Sequence, residues 1–462
     1  MSKRKKIILV VIGIFIILAI IAFSFAVWTR NFTQTGVNRN TYDCLDIVYD
    51  ELTDDMLKEH SYPMTDSDGM KTDPYTVKVT NNCPYIVSYN LYLNEMSTNN
   101  LNVNYVKIGL NEEIFMLNTK TSKTATISGT DTAWQLSGGV LGGGQSKTFA
   151  TRMWMDENTT VSQGMDTQFN FKMSIEAVTG GGNYLAGRIL SDNELKTTTP
   201  DFDVAPTDAT SGLYQMADDL GTSYYLRGNI TNNYVKFANR LWRIVRINGD
   251  GSIRLITEDS VEGSVFNTTY DTHKYVGYTY DNSHNCTNAN PCNGTEGTAS
   301  TMKTYLDNWY NINLASYEDK IVTGEYCNDT SYRLSGSTRY YGAYDRITSS
   351  AVNPVLSCVD TTVTYGGKYN LKIGLLSADE IALSGYTRSS ITTNSYLQKS
   401  SWWWPFSPFY SSPTYAYVFN TYNNYLNIGN PPSSGGVRPV INLKADTLIT
   451  SGNGTVSNPY VV

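Results

Sequence analysis

From Phe169 to Ala177 every second side chain is apolar. Phe169, Phe171, Met173, Ile175 and Ala177 alternate with Asn170, Lys172, Ser174 and Glu176. A period of two sends one set to each face of a pleated strand, whereas the 3.6-residue period of a helix would mix them. The pattern recurs at Val87, Tyr89, Leu91 and Leu93, and at Tyr75, Val77 and Val79, which the turn formers Asn81-Asn82 close. Strands that each bury one face need a second layer. Several short ones separated by polar turns predict a β-sandwich over 41–178. The 35 tyrosines of the chain suit such half-buried surfaces. The glycines from Gly138 to Gly144 run into Gln145-Ser146-Lys147 and a strand. They lack the helix and the Lys-Ser/Thr pair of a phosphate loop, so a flexible loop is expected.

Gly180-Gly181-Gly182, then Thr197–Ser211 with Pro200 and Pro206, mark 179–211 as linker. Beyond it, Leu241–Ile247 and Ser252–Ile256 flank Asn248-Gly249-Asp250-Gly251, a hairpin in which Asn-Gly is expected to supply the positive φ. That turn lacks the spacing and closing Glu of an EF-hand, so calcium is not expected. Met302, Leu306, Trp309 and Tyr310 share one helical face behind a cap at Ser300 or Thr301. Ser377 and Glu380 form a capping box opening Leu376–Ser384, and Gly385 is placed to end it. With the late apolar run Val437–Leu443, these elements predict an α+β domain over 212–462. The chain as a whole reads as mainly β.

The compartment follows from the first thirty residues. Lys3-Arg4-Lys5-Lys6 precedes an uncharged apolar run from Ile7 to Thr29. Such a run is long enough to cross the ~30 Å hydrocarbon layer as a helix. The basic cluster holds the amino terminus inside and leaves everything after Arg30 outside. A cleaved signal peptide is the alternative, since Ser24-Phe25-Ala26 offers small residues, and both readings export the chain. A single-pass membrane protein, anchored through 1–30 with its bulk extracellular, is the expectation. Export favours disulfides among Cys44, Cys83, Cys286, Cys292, Cys327 and Cys358. Of the 15 pairings open to six cysteines, the domain division favours Cys44–Cys83, Cys286–Cys292 and Cys327–Cys358. Cys286 and Cys292 lack the spacing of a structural zinc site. A net charge of −7 argues against a nucleic-acid partner, which needs a basic face.

Two resemblances sharpen this outline. PYTVKVTNNCPYIVSYNLYL, GGGQSKTFATRMWMDE and FNFKMSIEA resemble the β-sandwich of camelysin- and TasA-type surface and matrix proteins of Gram-positive bacteria. FANRLWRIVRINGDGSIRLI, TYLDNWYNINL, KIGLLSADEIALSG, SWWWPFSP and GVRPVINL, in that order, resemble a bacterial surface-protein domain. That domain is in turn similar to the C-type-lectin-like and formylglycine-generating-enzyme-like fold. The second resemblance implies that first and last strands pair, long loops gather on one face and helices flank the sheet. Enzymes of the formylglycine-generating type use late cysteines. Here none follows Cys358, so the resemblance does not carry that activity over.

Chemistry has few candidates. His60, His273 and His284 are the only histidines and lie outside the quoted elements. Asp379 and Glu380 read as helix-capping groups, and Asp307, Asp345 and Asp360 fall in separate elements. No catalytic residue, metal or cofactor is expected, and an enzyme acting on surface polymers ranks third among the readings. Binding is better supported. Half of the residues from Pro405 to Ser434 are Tyr, Asn or Ser, a mixture of rigid aromatic anchors and adaptable polar groups typical of a recognition surface. Tyr410, Tyr415, Tyr417, Tyr422, Asn424 and Tyr425 are the candidate ligand contacts. Trp242, Trp309, Trp403 and Arg438 are assigned to structure. The expected function is a surface receptor or adhesin binding a glycan or a surface protein, with a structural envelope or matrix protein as the alternative.

Overall fold

The computed structural model describes residues 45–49, 63–82, 86–126, 129–164, 167, 169, 171–179, 182–272, 275–280, 298–329, 331–348, 351–358, 367–387, 394–422 and 425–462. The chain divides into two compact units, Met1–Gly180 and Gly181–Val462. Among the described residues no helix is long and apolar enough to cross a membrane. The expected span Ile7–Thr29 lies outside them, as do Cys44, Cys83, Cys286, Cys292, Asn424, Asp360 and the three histidines.

The first unit is two antiparallel sheets around one apolar core. One sheet runs in the order Leu45–Tyr49, Tyr75–Asn81, Ser146–Met155, Val106–Leu110, Glu113–Met116. The other runs Ser122–Thr124, Thr130–Leu141, Val87–Met96, Phe171–Thr179. The expected alternation is visible at Tyr75, Val77 and Val79, buried while Thr76, Lys78 and Thr80 are not. Val77, Val79, Leu91 and Leu93 are fully buried, each contributing about 2 kcal/mol over an exposed position. Tyr89 of one sheet meets Phe149 of the other edge to face, with centroids 5.8 Å apart. Gly138 and Gly139 differ from expectation: they continue the strand Thr130–Leu141 instead of forming a loop. Gly139 pairs with Tyr89, and a Cβ there would lie 3.1 Å from the Tyr89 hydroxyl. The bare backbone makes room for that ring.

The second unit is built on one sheet in the order Gly212–Asp218, Gly221–Arg227, Arg240–Ile247, Ile253–Thr257, Val440–Leu443, Ile321–Val322. The late run Val440–Leu443 therefore lies in mid-sheet, every residue buried. Tyr234–Phe237 pairs with Arg240–Ile247 and, in parallel, with Tyr460–Val461. The last described strand thus joins Tyr234–Phe237, while Gly212–Asp218 pairs with its own hairpin partner Gly221–Arg227. The expected hairpin is present with Ile247 opposite Ile253, but Gly251, at φ 88°, supplies the positive φ. Gly249 serves close approach instead. A Cβ there would lie 2.3 Å from the Gly221 amide nitrogen, and the Gly249 N–H donates to Asp218 Oδ2 at 2.9 Å.

Both expected helices form. Thr301–Asn313 is capped by Ser300 and buries Met302, Leu306, Trp309 and Tyr310. Ala378–Leu383 carries the Ser377/Glu380 capping box. Two more, Leu185–Asp192 and Gly342–Thr348, were not expected.

Within the segment 179–211, expected as linker, residues 184–206 make packing contacts with the rest of the second unit. Leu185, Ala186 and Ile189 are buried, and the Leu185 N–H donates to the Thr447 carbonyl at 2.8 Å. Phe202 joins Tyr214, Tyr225 and Leu383 in a buried cluster. Arg227 Nη2 donates to the carbonyls of Asp201 and Val204 at 3.0 and 3.1 Å. Pro200 and Pro206 make this stretch irregular, and a buried guanidinium satisfies carbonyls that a free linker would leave to water.

The expected bond Cys327–Cys358 is present, with Cα atoms 5.2 Å apart. It ties the strand Gly324–Asn328 to a loop whose Leu356 packs into the Phe202 cluster. Cys327→Ser/Cys358→Ser is expected to lower stability by about 3 kcal/mol through the 31-residue loop it opens. Urea denaturation of the double variant against the parent measures it.

Candidate functional site

A second antiparallel sheet of this unit runs in the order Tyr332–Ser335, Thr338–Tyr341, Pro408–Ser412, Tyr415–Asn420, Asn427–Gly429. Its register sets Tyr340 opposite Tyr410. Alternation then decides which rings point where. In Tyr415–Asn420, Ala416 and Val418 are buried whereas Tyr415 and Tyr417 stay on the outer face.

The result is a continuous stripe of tyrosines. Centroid separations are 5.7 Å for Tyr340–Tyr410, 4.9 Å for Tyr410–Tyr417, 5.8 Å for Tyr417–Tyr415 and 6.4 Å for Tyr415–Tyr270. Tyr344 flanks it, 4.8 Å from Tyr340. Tyr415 is 48% exposed, and the other stripe tyrosines are half-buried. Partial burial raises the Tyr410 and Tyr417 hydroxyls above the ordinary phenol value, so both remain protonated and able to donate. Rings fixed by their neighbours lose little entropy when a partner covers them.

The expected contacts do not all meet here. Tyr410, Tyr415 and Tyr417 share the stripe. Tyr422, 50% exposed, lines a separate cleft with Trp402. The half-buried Tyr425 hydroxyl accepts from Asn427 Nδ2 at 3.3 Å. Tyr340 and Tyr344 were missed because only strand pairing across some seventy residues reveals their proximity to Tyr410, and Tyr270 because it reaches the stripe from a loop, its carbonyl accepting from the Ala416 N–H at 2.7 Å.

No family model and no curated protein matches this chain. The reading of the site therefore rests on its own geometry.

The residues assigned to structure are inward-facing. Trp242 is fully buried, and its indole N–H donates to the Phe237 carbonyl at 3.0 Å. Trp309 carries the Arg240 guanidinium 5.1 Å above its ring. Arg438, also fully buried, donates from Nε to the Thr257 carbonyl at 2.9 Å and from Nη1 to the Leu397 carbonyl at 3.0 Å. Its guanidinium lies 4.9 Å from the Trp403 ring.

The carboxylates weighed as catalytic are held by cations. Glu380 Oε1 accepts from Arg254 Nη1 at 2.5 Å and from Arg246 Nε at 3.1 Å. Asp379 takes a two-pronged contact from Arg346, Nε to Oδ1 at 2.7 Å and Nη2 to Oδ2 at 2.9 Å. Arg346 Nη1 also reaches Asp329 at 2.6 Å. The free space beside this network is about 20 Å³, room for about one water molecule and not for a substrate. Asp345 pairs with Arg333 at 2.9 Å and Asp307 with Lys303 at 2.6 Å. These carboxylates brace the fold. Among the described residues no group of His, Cys, Asp and Glu could hold a metal ion.

Proposed function

We propose that the chain is an exported, membrane-anchored surface protein whose second unit binds a glycan or protein partner. The observation that carries this reading is the tyrosine stripe Tyr340–Tyr410–Tyr417–Tyr415–Tyr270. Five rings in a chain of contacts, four of them on one outer sheet face, give a large area with hydroxyls along it, and tyrosine is among the residues that dominate binding energy at interfaces. The two-sheet first unit is read as a stalk of the camelysin/TasA-like kind and the second unit as a lectin-like tip. The order of the quoted sequence elements supports both.

Tyr415→Ala/Tyr417→Ala is expected to weaken adhesion of cells displaying the full chain to partner cells or immobilised envelope glycans by roughly tenfold or more. The same variant should change stability by less than about 1 kcal/mol, because neither ring is core. Adhesion equal to the parent's would remove the stripe from the recognition surface.

A further inference from the structure

Apart from the stripe, the second unit has a cleft of about 510 Å³ lined by Gly263, Lys399, Ser400, Ser401, Trp402, Thr421, Tyr422, Ser434, Gly435 and Gly436. Its size falls within the range of ordinary small-ligand sites. We infer that this cleft holds a single uncharged pyranose ring, stacked on Trp402 and flanked by Tyr422. This inference rests on the reading of the unit as a binding module, and it names a second site and a ligand class for it.

Rigidity is the first argument. Trp402 stands edge-on to Trp404, centroids 4.8 Å apart at 86°. Its other support is the bare backbone of Gly435, where a Cβ would lie 2.1 Å from Trp402 Cζ3. Two main-chain hydrogen bonds fix the segment beneath it, Gly436 N–H to the Trp402 carbonyl at 3.1 Å and Trp404 N–H to the Gly436 carbonyl at 3.0 Å. The half-buried indole is thus already immobile before anything binds, which removes an ordering cost from association.

Polar lining is the second. Ser400, Ser401 and Ser434 are exposed, and among the described residues their hydroxyls have no hydrogen-bond partner within the chain. An aromatic plane surrounded by free hydroxyls suits a ring with one C–H face and a hydroxylated rim. An aliphatic or purely aromatic ligand would leave those hydroxyls dehydrated and unpaired, which is unfavourable.

Charge selects among sugars. Among the described residues Lys399 is the one cation of the lining, and its Nζ is engaged by Glu258 Oε1 at 2.6 Å and Asp259 Oδ1 at 3.1 Å. Glu258 also faces Arg243 Nη1 at 3.6 Å, so the charges beside the cleft are already matched and the Lys399 ammonium is not free to hold the carboxylate of a uronic or sialic acid, whose desolvation would go uncompensated.

Saturation-transfer NMR on the full chain in detergent tests this, with methyl glucoside, galactoside, mannoside and N-acetylglucosaminide against methyl glucuronide. At least one neutral glycoside should receive saturation, strongest at the protons of one ring face, and the glucuronide none. Ser401→Arg, which fills the cleft from an exposed position, and Tyr422→Ala should each weaken that binding about tenfold. Trp402→Ala should do so too, but it touches Trp404, so the two exposed variants carry the test. No transfer from any neutral glycoside, preference for the glucuronide, or transfer undiminished in Ser401→Arg would each overturn the inference. A chain that still adheres through the stripe but fails here loses only the cleft. One that does neither loses the binding-module reading as well.

Discussion

Glu380→Ala is expected to cost the second unit about 3–5 kcal/mol, a large share of the stability of any domain. Glu380 is almost fully buried. It joins two guanidiniums that are themselves buried, Arg246 and Arg254, while its Oε2 accepts from the Ser377 N–H at 3.0 Å to close the helix cap. Arg246 keeps Asp218 Oδ2 at 2.7 Å, but Arg254 is left with the Glu325 carbonyl, the Asn442 side chain and the Tyr326 ring 4.5 Å away. The loss comes from burying a cation without its anion, more than from the worth of the pair. Chemical denaturation measures the difference.

The same carboxylate sets an acid limit. Burial pushes its pKa up, but Arg254, Arg246 and the Ser377 amide outweigh that and hold it below the ordinary 4.5. A depressed folded-state pKa contributes stability that is complete above the unfolded value and is lost as pH falls through the folded one. The parent should therefore lose stability as pH drops below about 4.5, and Glu380→Gln should flatten that part of the profile. An unchanged acid limb in Glu380→Gln would assign it to other carboxylates.

Trp403→Ala is the second large effect, again about 3–5 kcal/mol, from deleting a fully buried indole that its neighbours cannot replace. Trp403 is 1% exposed. Its main-chain N–H donates to the Thr421 hydroxyl at 2.9 Å, and that hydroxyl donates back to the Trp403 carbonyl at 3.2 Å, so the backbone there stays fixed and the loss comes from the ring. The removed ring also faces Arg438, whose pKa burial lowers to about 10. Without it that guanidinium keeps its hydrogen bonds to the Thr257 and Leu397 carbonyls but loses the aromatic face beside it. Thermal unfolding should separate this variant sharply from Trp402→Ala, whose indole is half-buried. Equal losses would contradict the inward and outward placement of the two rings.

Local rules explain what was legible beforehand. Period-two alternation exposed the strands Tyr75–Asn81, Val87–Met96 and Phe171–Thr179, since each buries one face. Ser300 and Ser377 announced their helices because a cap is a contact between residues three apart. Long-range pairing was not legible. That Tyr340 lies against Tyr410, or that Gly435 supports Trp402, depends on which strands become neighbours, and no local spacing encodes it. Glu380 shows the mixed case. Its capping role was readable, while its bond to Arg246 and Arg254 spans more than a hundred residues. In the expected linker 179–211, prolines and polar residues signal irregular backbone, and irregular backbone can still be packed, as Phe202 is.

One feature of the second unit bears on how it would carry load. Tyr184 bridges to Leu448, the Leu185 N–H bonds to the Thr447 carbonyl, and the Tyr460 hydroxyl donates to Asp192 at 2.7 Å. The peptide leading into the unit is therefore clasped by residues 447–460. Traction applied at residue 182 while a ligand is held must first strip this clasp before it reaches Gly212–Asp218 or the strands beyond. The clasp is thus the first part of the unit that such traction would load.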